Sequence, residues 1–217
     1  MGELVLIRHG QANSGASDEA GYDRLSDLGR QQARWLGDWL RGHEAPFDRV
    51  LMGSLRRHRE TAEEMGDMGA EVEVDARLNE LDYFNLSAAH AARNGATEVH
   101  TPQDFVHHIR DVMEAWARAE IQGDESYVSF ETRVAEMLTI AARPGRRVLC
   151  VTSGGVIGMM VRHLLDLDPG RMAHLLVPIR NASIHRVAVL PQGSILAGFN
   201  ATPHLDTPDR LHARTEY

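Results

Sequence analysis

The chain predicts an α/β fold with a mostly parallel sheet covered by helices, and three observations carry that expectation. Leu4 to Ile7 is an unbroken apolar run, the pattern of a strand buried on both faces. Strand-like and helix-like segments then alternate as β-α-β-α-β up to Val74. A second apolar run, Val148 to Val151, passes through Ser153-Gly154-Gly155 into another helical segment. At 217 residues the chain is expected to form a single domain spanning 1–217, large enough for a substantial core.

The first strand stops at Arg8-His9-Gly10, and a polar, glycine-containing loop follows to about Asp27. Leu28 to His43 places Leu28, Ala33, Leu36 and Leu40 near helical spacing. Asp48 to Met52 is a short apolar strand, Leu55 to Met68 a charged helix with Thr61, Ala62 and Met65 inward, and Glu71 to Val74 an alternating strand. Between Leu81 and about Gly123 no strand is evident, so a helical insertion at about 81–123 is expected above the sheet. Within it, Pro102 to Gln122 reads as one long helix with Thr101 as its N-cap and Pro102 in its first turn. Tyr83, Phe84 and His90 are expected in the core of that subdomain. Tyr127 to Arg143 is the next helix, ended by Pro144-Gly145. Arg147 to Thr152 is a central strand and Val156 to Leu165 its helix. Ile184 to Leu190 and Ile195 to Phe199 form a hairpin around Pro191-Gln192-Gly193, and the polar tail after Leu205 is expected to be mobile.

Composition removes several function classes. The formal charge of −8 argues against nucleic acid or an anionic membrane as the main partner, so anion binding requires local clustering of basic residues. All 23 basic residues are arginine, which excludes Schiff-base chemistry and the lysine of the common nucleotide-binding loop. Cys150 is alone, so no internal disulfide forms, and a sheet beginning by residue 3 leaves no room for a signal peptide; a reducing cytoplasmic setting is expected. Leu6 stands where a myristoylation signal needs Ser or Thr, and no apolar run approaches membrane-spanning length. Despite 12 histidines there is no His-Glu-x-x-His and no cysteine pair, and the adjacent His107 and His108 point to different sides of a helix. No metal site and no cofactor are expected.

Four segments gather chemistry at the carboxyl ends of the predicted strands, where parallel sheets bind ligands. His9 offers an imidazole that titrates near neutrality, Arg8 a fixed fork of donors for an anion, and Gly10 close backbone approach. In Gly53-Ser54-Leu55-Arg56-Arg57-His58-Arg59-Glu60-Thr61-Ala62 a strand ends and a helix begins, bringing Arg57 to a helix terminus that favours anions, where it is able to share a phosphate with Arg8. In Arg77-Leu78-Asn79-Glu80 a carboxylate follows the third strand and is placed to give a proton to a leaving oxygen. In Thr152-Ser153-Gly154-Gly155 the backbone amides form an anion cradle. Cys150 lacks the arginine six positions on that a cysteine phosphatase loop requires, since Val156 is there. Ser153 lacks the preceding glycine of a nucleophile elbow, since Val151 is there.

The order of these segments resembles the histidine phosphatase superfamily, the phosphoglycerate-mutase-like fold. The resemblance rests on Arg8-His9-Gly10, Leu25-Ser26-x-Leu28-Gly29-x-x-Gln32-Ala33, Leu55-x-Arg57-x-x-x-Thr61-Ala62 and Leu78-x-Glu80. Similar stretches follow at Ser129-Phe130-x-x-Arg133-Val134, Asn181-Ala182-Ser183 and Asn200-x-Thr202-Pro203-His204-Leu205. It implies a three-layer α/β sandwich with helices on both faces, in which His9 is phosphorylated, Arg8 and Arg57 hold the phosphoryl oxygens and Glu80 donates the proton. Gln11 and Asn13 line the pocket in that reading, beside Ser153 and Gly154. The implied activity is hydrolysis of a small phosphomonoester through a phosphohistidine without a metal. One departure stands out: the family places a second histidine where this chain has Ser153, whose neutral hydroxyl gives a hydrogen bond roughly half as strong as an imidazolium's. The departure favours, as a rival, a catalytically silent phospho-ligand binder; a phosphomutase would share the site and is less well supported, since the chain has no Arg-His-Gly-Glu-Ser stretch such as the glycolytic mutases carry.

Overall fold

The computed structural model describes residues 2–96 and 101–216. A six-stranded sheet runs in the order β3-β2-β4-β1-β5-β6, with β1 Gly2–Arg8, β2 Arg49–Met52, β3 Val72–Val74, β4 Arg147–Thr152, β5 Ile184–Leu190 and β6 Gly193–Ala201. The first four are parallel to one another, with Leu4 opposite Val148 and Arg8 opposite Thr152. β5 and β6 add an antiparallel hairpin on the far side of β1.

Alternation along the central strands divides the interior into two cores. Leu4, Leu6, Leu51, Val148 and Cys150 pack on one face against α5 (Pro102–Ala117), α6 (Tyr127–Ala141), α7 (Gly154–Leu165) and α8 (Pro169–Leu176). Val5, Ile7, Val50, Leu149 and Val151 face α2 (Asp27–His43) and α3 (Arg56–Met65), meeting Ala33, Leu36, Leu40 and Met65. Helices thus cover both faces, and β1 and β4 are buried on both, which is why their sequences read as continuous apolar runs.

Local chemistry fixes the element ends. Ser26 caps α2 by accepting from the Gly29 N–H, and Thr101 with Asp104 closes a reciprocal capping box on α5. Two expectations are corrected, the length of one helix and the mobility of the tail, and three helices are added. The helix expected to reach Gln122 ends at Ala117, where Arg118 leaves helical geometry and Ala119 takes a positive φ of 54°. Two further helices had no apolar periodicity to announce them: the single turn α1 (Glu19–Tyr22), capped by Asp18, and α8, capped by Asp168. In the insertion, α4 (Tyr83–Asn94) precedes α5, and residues 97–100 of the expected insertion lie outside the described residues. The tail after Leu205 is not free. Gln32 on α2 donates to the Ala213 carbonyl at 2.7 Å, Asn181 N–H donates to the Thr215 carbonyl at 2.8 Å, and Ala213 is buried.

Candidate active site

All four parallel strands end at one rim, and each delivers one segment to it. β1 ends at Arg8, and the His9 N–H continues the ladder by donating to the Thr152 carbonyl at 2.9 Å. β4 ends at Thr152, whose hydroxyl donates to the Leu78 carbonyl at 2.6 Å and so ties the turn Ala76–Leu78, and with it Glu80, to the same edge. Arg133 on α6 secures that turn from above, donating to the carbonyls of Arg77 at 2.8 Å and Asn79 at 2.7 Å while pairing with Glu125. Arg57 starts α3 from the end of β2.

A cavity of about 550 Å³ opens over this rim, with Arg8, His9, Arg57, Glu80, Gly154 and Gly155 among its lining residues. His9 is only 2% exposed, and its Nδ1 lies 2.7 Å from the Gly10 carbonyl. A carbonyl only accepts, so Nδ1 carries the proton and Nε2 keeps its lone pair. Burial first, then the charges of Arg57 and Arg8, hold the ring well below the usual histidine range, so it stays neutral and nucleophilic. The two guanidiniums are held differently. Arg8 Nη1 donates to backbone carbonyls of Ile179 and Glu216, and among the described residues no acid pairs with it. Arg57 pairs with Glu19 at 2.5 Å and Asp23 at 3.1 Å, and its charge is kept on, against the cost of burial, chiefly by Glu19. Both arginines bury an Nε–H that has no hydrogen-bond partner.

Glu80 is fixed at both oxygens: Oε2 accepts from the Gly155 N–H at 2.9 Å and Oε1 from the Leu81 N–H at 3.1 Å. Part of the amide cradle expected at Ser153-Gly154-Gly155 is therefore occupied by Glu80. The start of α3 is likewise taken, because Asp23 accepts from the N–H groups of Arg56 at 2.9 Å and Arg57 at 3.0 Å. Gln11 and Asn13 serve the loop instead of the cavity wall: Gln11 Oε1 accepts from Ser26 Oγ at 2.8 Å and Asn13 Nδ2 donates to the Gly21 carbonyl at 2.9 Å. Tyr83 and Phe84, expected in the subdomain core, line the cavity, whereas His90 packs edge-on to His108 with ring centroids 5.6 Å apart. Ser153 is fully buried behind Gly154, and its Oγ lies 2.6 Å from His58 Nε2.

Several participants escaped the sequence reading. Glu19, Tyr22 and Asp23 come from the short α1, where Tyr22 lies under the Arg57 guanidinium at 5.1 Å and meets Phe84 edge-on. Glu216 comes from the tail, and among these positions only His58 had a visible signal, its place directly after Arg57 at a helix start. Among the described residues no group of three or more His, Cys, Asp or Glu is arranged to hold a metal ion, and no helix is long and apolar enough to cross a membrane.

A buried imidazole and two buried guanidiniums meet on the carboxyl edge of the parallel part of an α/β sheet, a set of groups chemically suited to an oxyanion. The chain belongs to the histidine phosphatase superfamily (branch 1), whose family model matches residues 4–202. It is 38% identical over 95 residues to a 2,3-bisphosphoglycerate-dependent phosphoglycerate mutase of Methylorubrum populi, a match covering 39% of this chain and 43% of the mutase. An adenosylcobalamin/alpha-ribazole phosphatase of Salmonella typhimurium is 28% identical over 185 residues, covering 80% of this chain and 85% of that one. In fold it is similar to a phosphoserine phosphatase of Entamoeba histolytica solved with phosphoserine, at a TM-score of 0.68 and 24% identity, covering 94% of this chain and all of that one.

Proposed function

We propose that this protein is a phosphohydrolase that cleaves a small phosphomonoester through a phosphohistidine at His9. The observation that carries the reading is the pair of buried Nε–H donors of Arg8 and Arg57, without partners among the described residues, in the same cavity as a neutral His9. A buried guanidinium N–H without an acceptor is costly, and a phosphoryl oxygen is the acceptor that fits. His9 Nε2 attacks phosphorus, the N–P bond forms as the ester P–O bond breaks, and Glu80 gives its proton to the departing alkoxide. Glu80 then takes a proton from water as the water oxygen bonds to phosphorus and the N–P bond breaks, releasing inorganic phosphate. Two guanidiniums spread over the equatorial oxygens supply the charge stabilisation, so the scheme requires no metal. The cytoplasmic setting expected from the lone, buried Cys150 is part of the same proposal.

The test is phosphate release from a panel of phosphorylated metabolites, with His9→Ala as the blank, together with acid-labile, alkali-stable phosphoprotein trapped by rapid quenching. Turnover and trapped phosphate, both lost in His9→Ala, are the expected result. Tight phosphate binding without turnover in the wild-type protein would establish the silent binder, and a transferred rather than released phosphoryl group would establish a mutase.

A further inference from the structure

Above the oxyanion floor the cavity changes character. Its upper wall is built from Tyr83, Phe84, Phe105, Ile109, Met113 and Leu176, contributed by α4, α5 and α8. The wall is held together by its own ring contacts, Tyr83 meeting Phe105 edge-on at 6.0 Å, and burial pushes the Tyr83 phenol up to about 12, so it stays neutral. Apart from Arg8 and Arg57, the charged side chains among the described lining residues are Glu19, Glu80 and Glu216, all acidic. A substrate whose organic part carries a carboxylate or a second phosphate meets no third arginine among the described lining residues. One with an uncharged apolar group exchanges water for that wall, in a space far larger than a phosphate fills. We infer that the site selects phosphomonoesters of uncharged, predominantly apolar alcohols.

The inference rests on the phosphohydrolase reading, so its test separates the two. Binding of a homologous series of n-alkyl phosphonates, from methyl to hexyl, is measured by calorimetry, which needs no turnover; hydrolysis of the matching alkyl phosphates is measured in parallel. Affinity and kcat/KM should rise about fourfold per added methylene, and Phe84→Ala and Met113→Ala should flatten the series. A flat binding series, or preference for 3-phosphoglycerate or phosphocholine over hexyl phosphate, would overturn the inference. A rising binding series without hydrolysis would uphold it while overturning the phosphohydrolase.

A second, independent observation lies behind the floor. His58 is fully buried, its Nε2 lies 2.6 Å from Ser153 Oγ, and its ring centroid is 5.9 Å from that of His9. His58 Nδ1 has no partner and is packed against Gly53, where an added Cβ would come within 2.1 Å of it. A proton on Nδ1 would be a buried donor without an acceptor, so the proton belongs on Nε2, which donates to Ser153 Oγ. Accepting from His58 occupies a lone pair of Ser153 Oγ and leaves its own hydroxyl proton available for donation to another oxygen. The geometry assigns His58 as a positioning residue that orients Ser153 toward the transferring phosphoryl group.

A double-mutant cycle tests this. His58→Ala and Ser153→Ala should each lower kcat about three- to tenfold, the double variant should fall no further, and His58→Gln, which keeps a donor, should recover most of the loss. Vanadate affinity across the same variants reads the same coupling without turnover. Additive losses, a folded His58→Ala with unchanged kcat and vanadate affinity, or failure of His58→Gln to recover would overturn the assignment.

Discussion

Glu80 shows how neighbours fix the placement of a single side chain. Both of its oxygens are gripped by amides, so the carboxyl group is held still at the mouth of the oxyanion site, between the turn after β3 and the start of α7. If it protonates the leaving oxygen, Glu80→Gln removes the proton at nearly constant size, with one of the two amide N–H groups losing its acceptor to an NH2. Hydrolysis of an alkyl phosphate should then fall by about 10² to 10⁴, while an activated nitrophenyl ester, whose leaving group needs little protonation, should lose far less. Steady-state kinetics on the two substrates checks this, and equal losses would reduce Glu80 to a structural support. At this scale the sequence was partly legible. Arg8, His9, Arg57 and Glu80 announced themselves because each follows a predicted strand, and the cavity brings them together. The contact between His58 and Ser153 did not, because its members are 95 residues apart on elements whose packing no local pattern encodes.

Among the elements, α7 has one position in its first turn, Gly155, where a side chain does not fit. A Cβ on Gly155 would lie 2.2 Å from Glu80 Oε1 and 3.0 Å from Leu81 Cδ2, so Gly155→Ala has to move the carboxylate or the helix. The expected outcome is a stable protein, down by about 1–3 kcal/mol, whose kinetics copy Glu80→Gln in sparing the activated ester. Melting and the same two-substrate assay check it; full activity on the alkyl ester would show that Glu80 tolerates displacement. The strands were read correctly where burial on both faces writes an uninterrupted apolar run, as in β1 and β4. The loop helix α1 and the tail were not readable for a different reason. Much of the tail's anchoring runs through the backbone carbonyls of Ala213, Thr215 and Glu216, and a carbonyl is the same in every residue; the side-chain contacts that join them, Thr215 with Gln32 and Asn181 and Arg210 with Trp35, link distant parts of the chain that no local pattern pairs.

The whole molecule buries several histidines in neutral form, and this sets its response to acid. His185 accepts the Asn200 N–H at Nδ1 and lies 2.9 Å from Ser183 Oγ through Nε2; burial drives its pKa down to about 3, and burial likewise takes His204 down to about 4. Unfolded histidine takes its proton near 6.5, so below that pH the unfolded chain binds more protons than the folded one. Stability is therefore fully present above about pH 6.5 and declines as pH falls, toward about 4 for His204 and about 3 for His185. The slope is roughly 1.4 kcal/mol per pH unit for each such group. His9 and His58, also lowered by burial, act in the same direction. Urea midpoints at pH 7.5 and 5.5 should differ clearly, with the lower value in acid; equal midpoints would mean that these rings are not buried neutral.

The division of the interior by the sheet also distributes the three tryptophans. Trp116 is buried in the core beneath α5 to α8, with its indole N–H donating to the Glu125 carbonyl at 3.0 Å. Trp39 packs against the opposite core, and Trp35 lies under the guanidinium of Arg210, 4.7 Å away, where the tail crosses α2. Each indole thus has its own optical territory: one layer, the other layer, and the returning chain end. Fluorescence from variants retaining one tryptophan at a time distinguishes a tail that peels away first from two layers that melt as one.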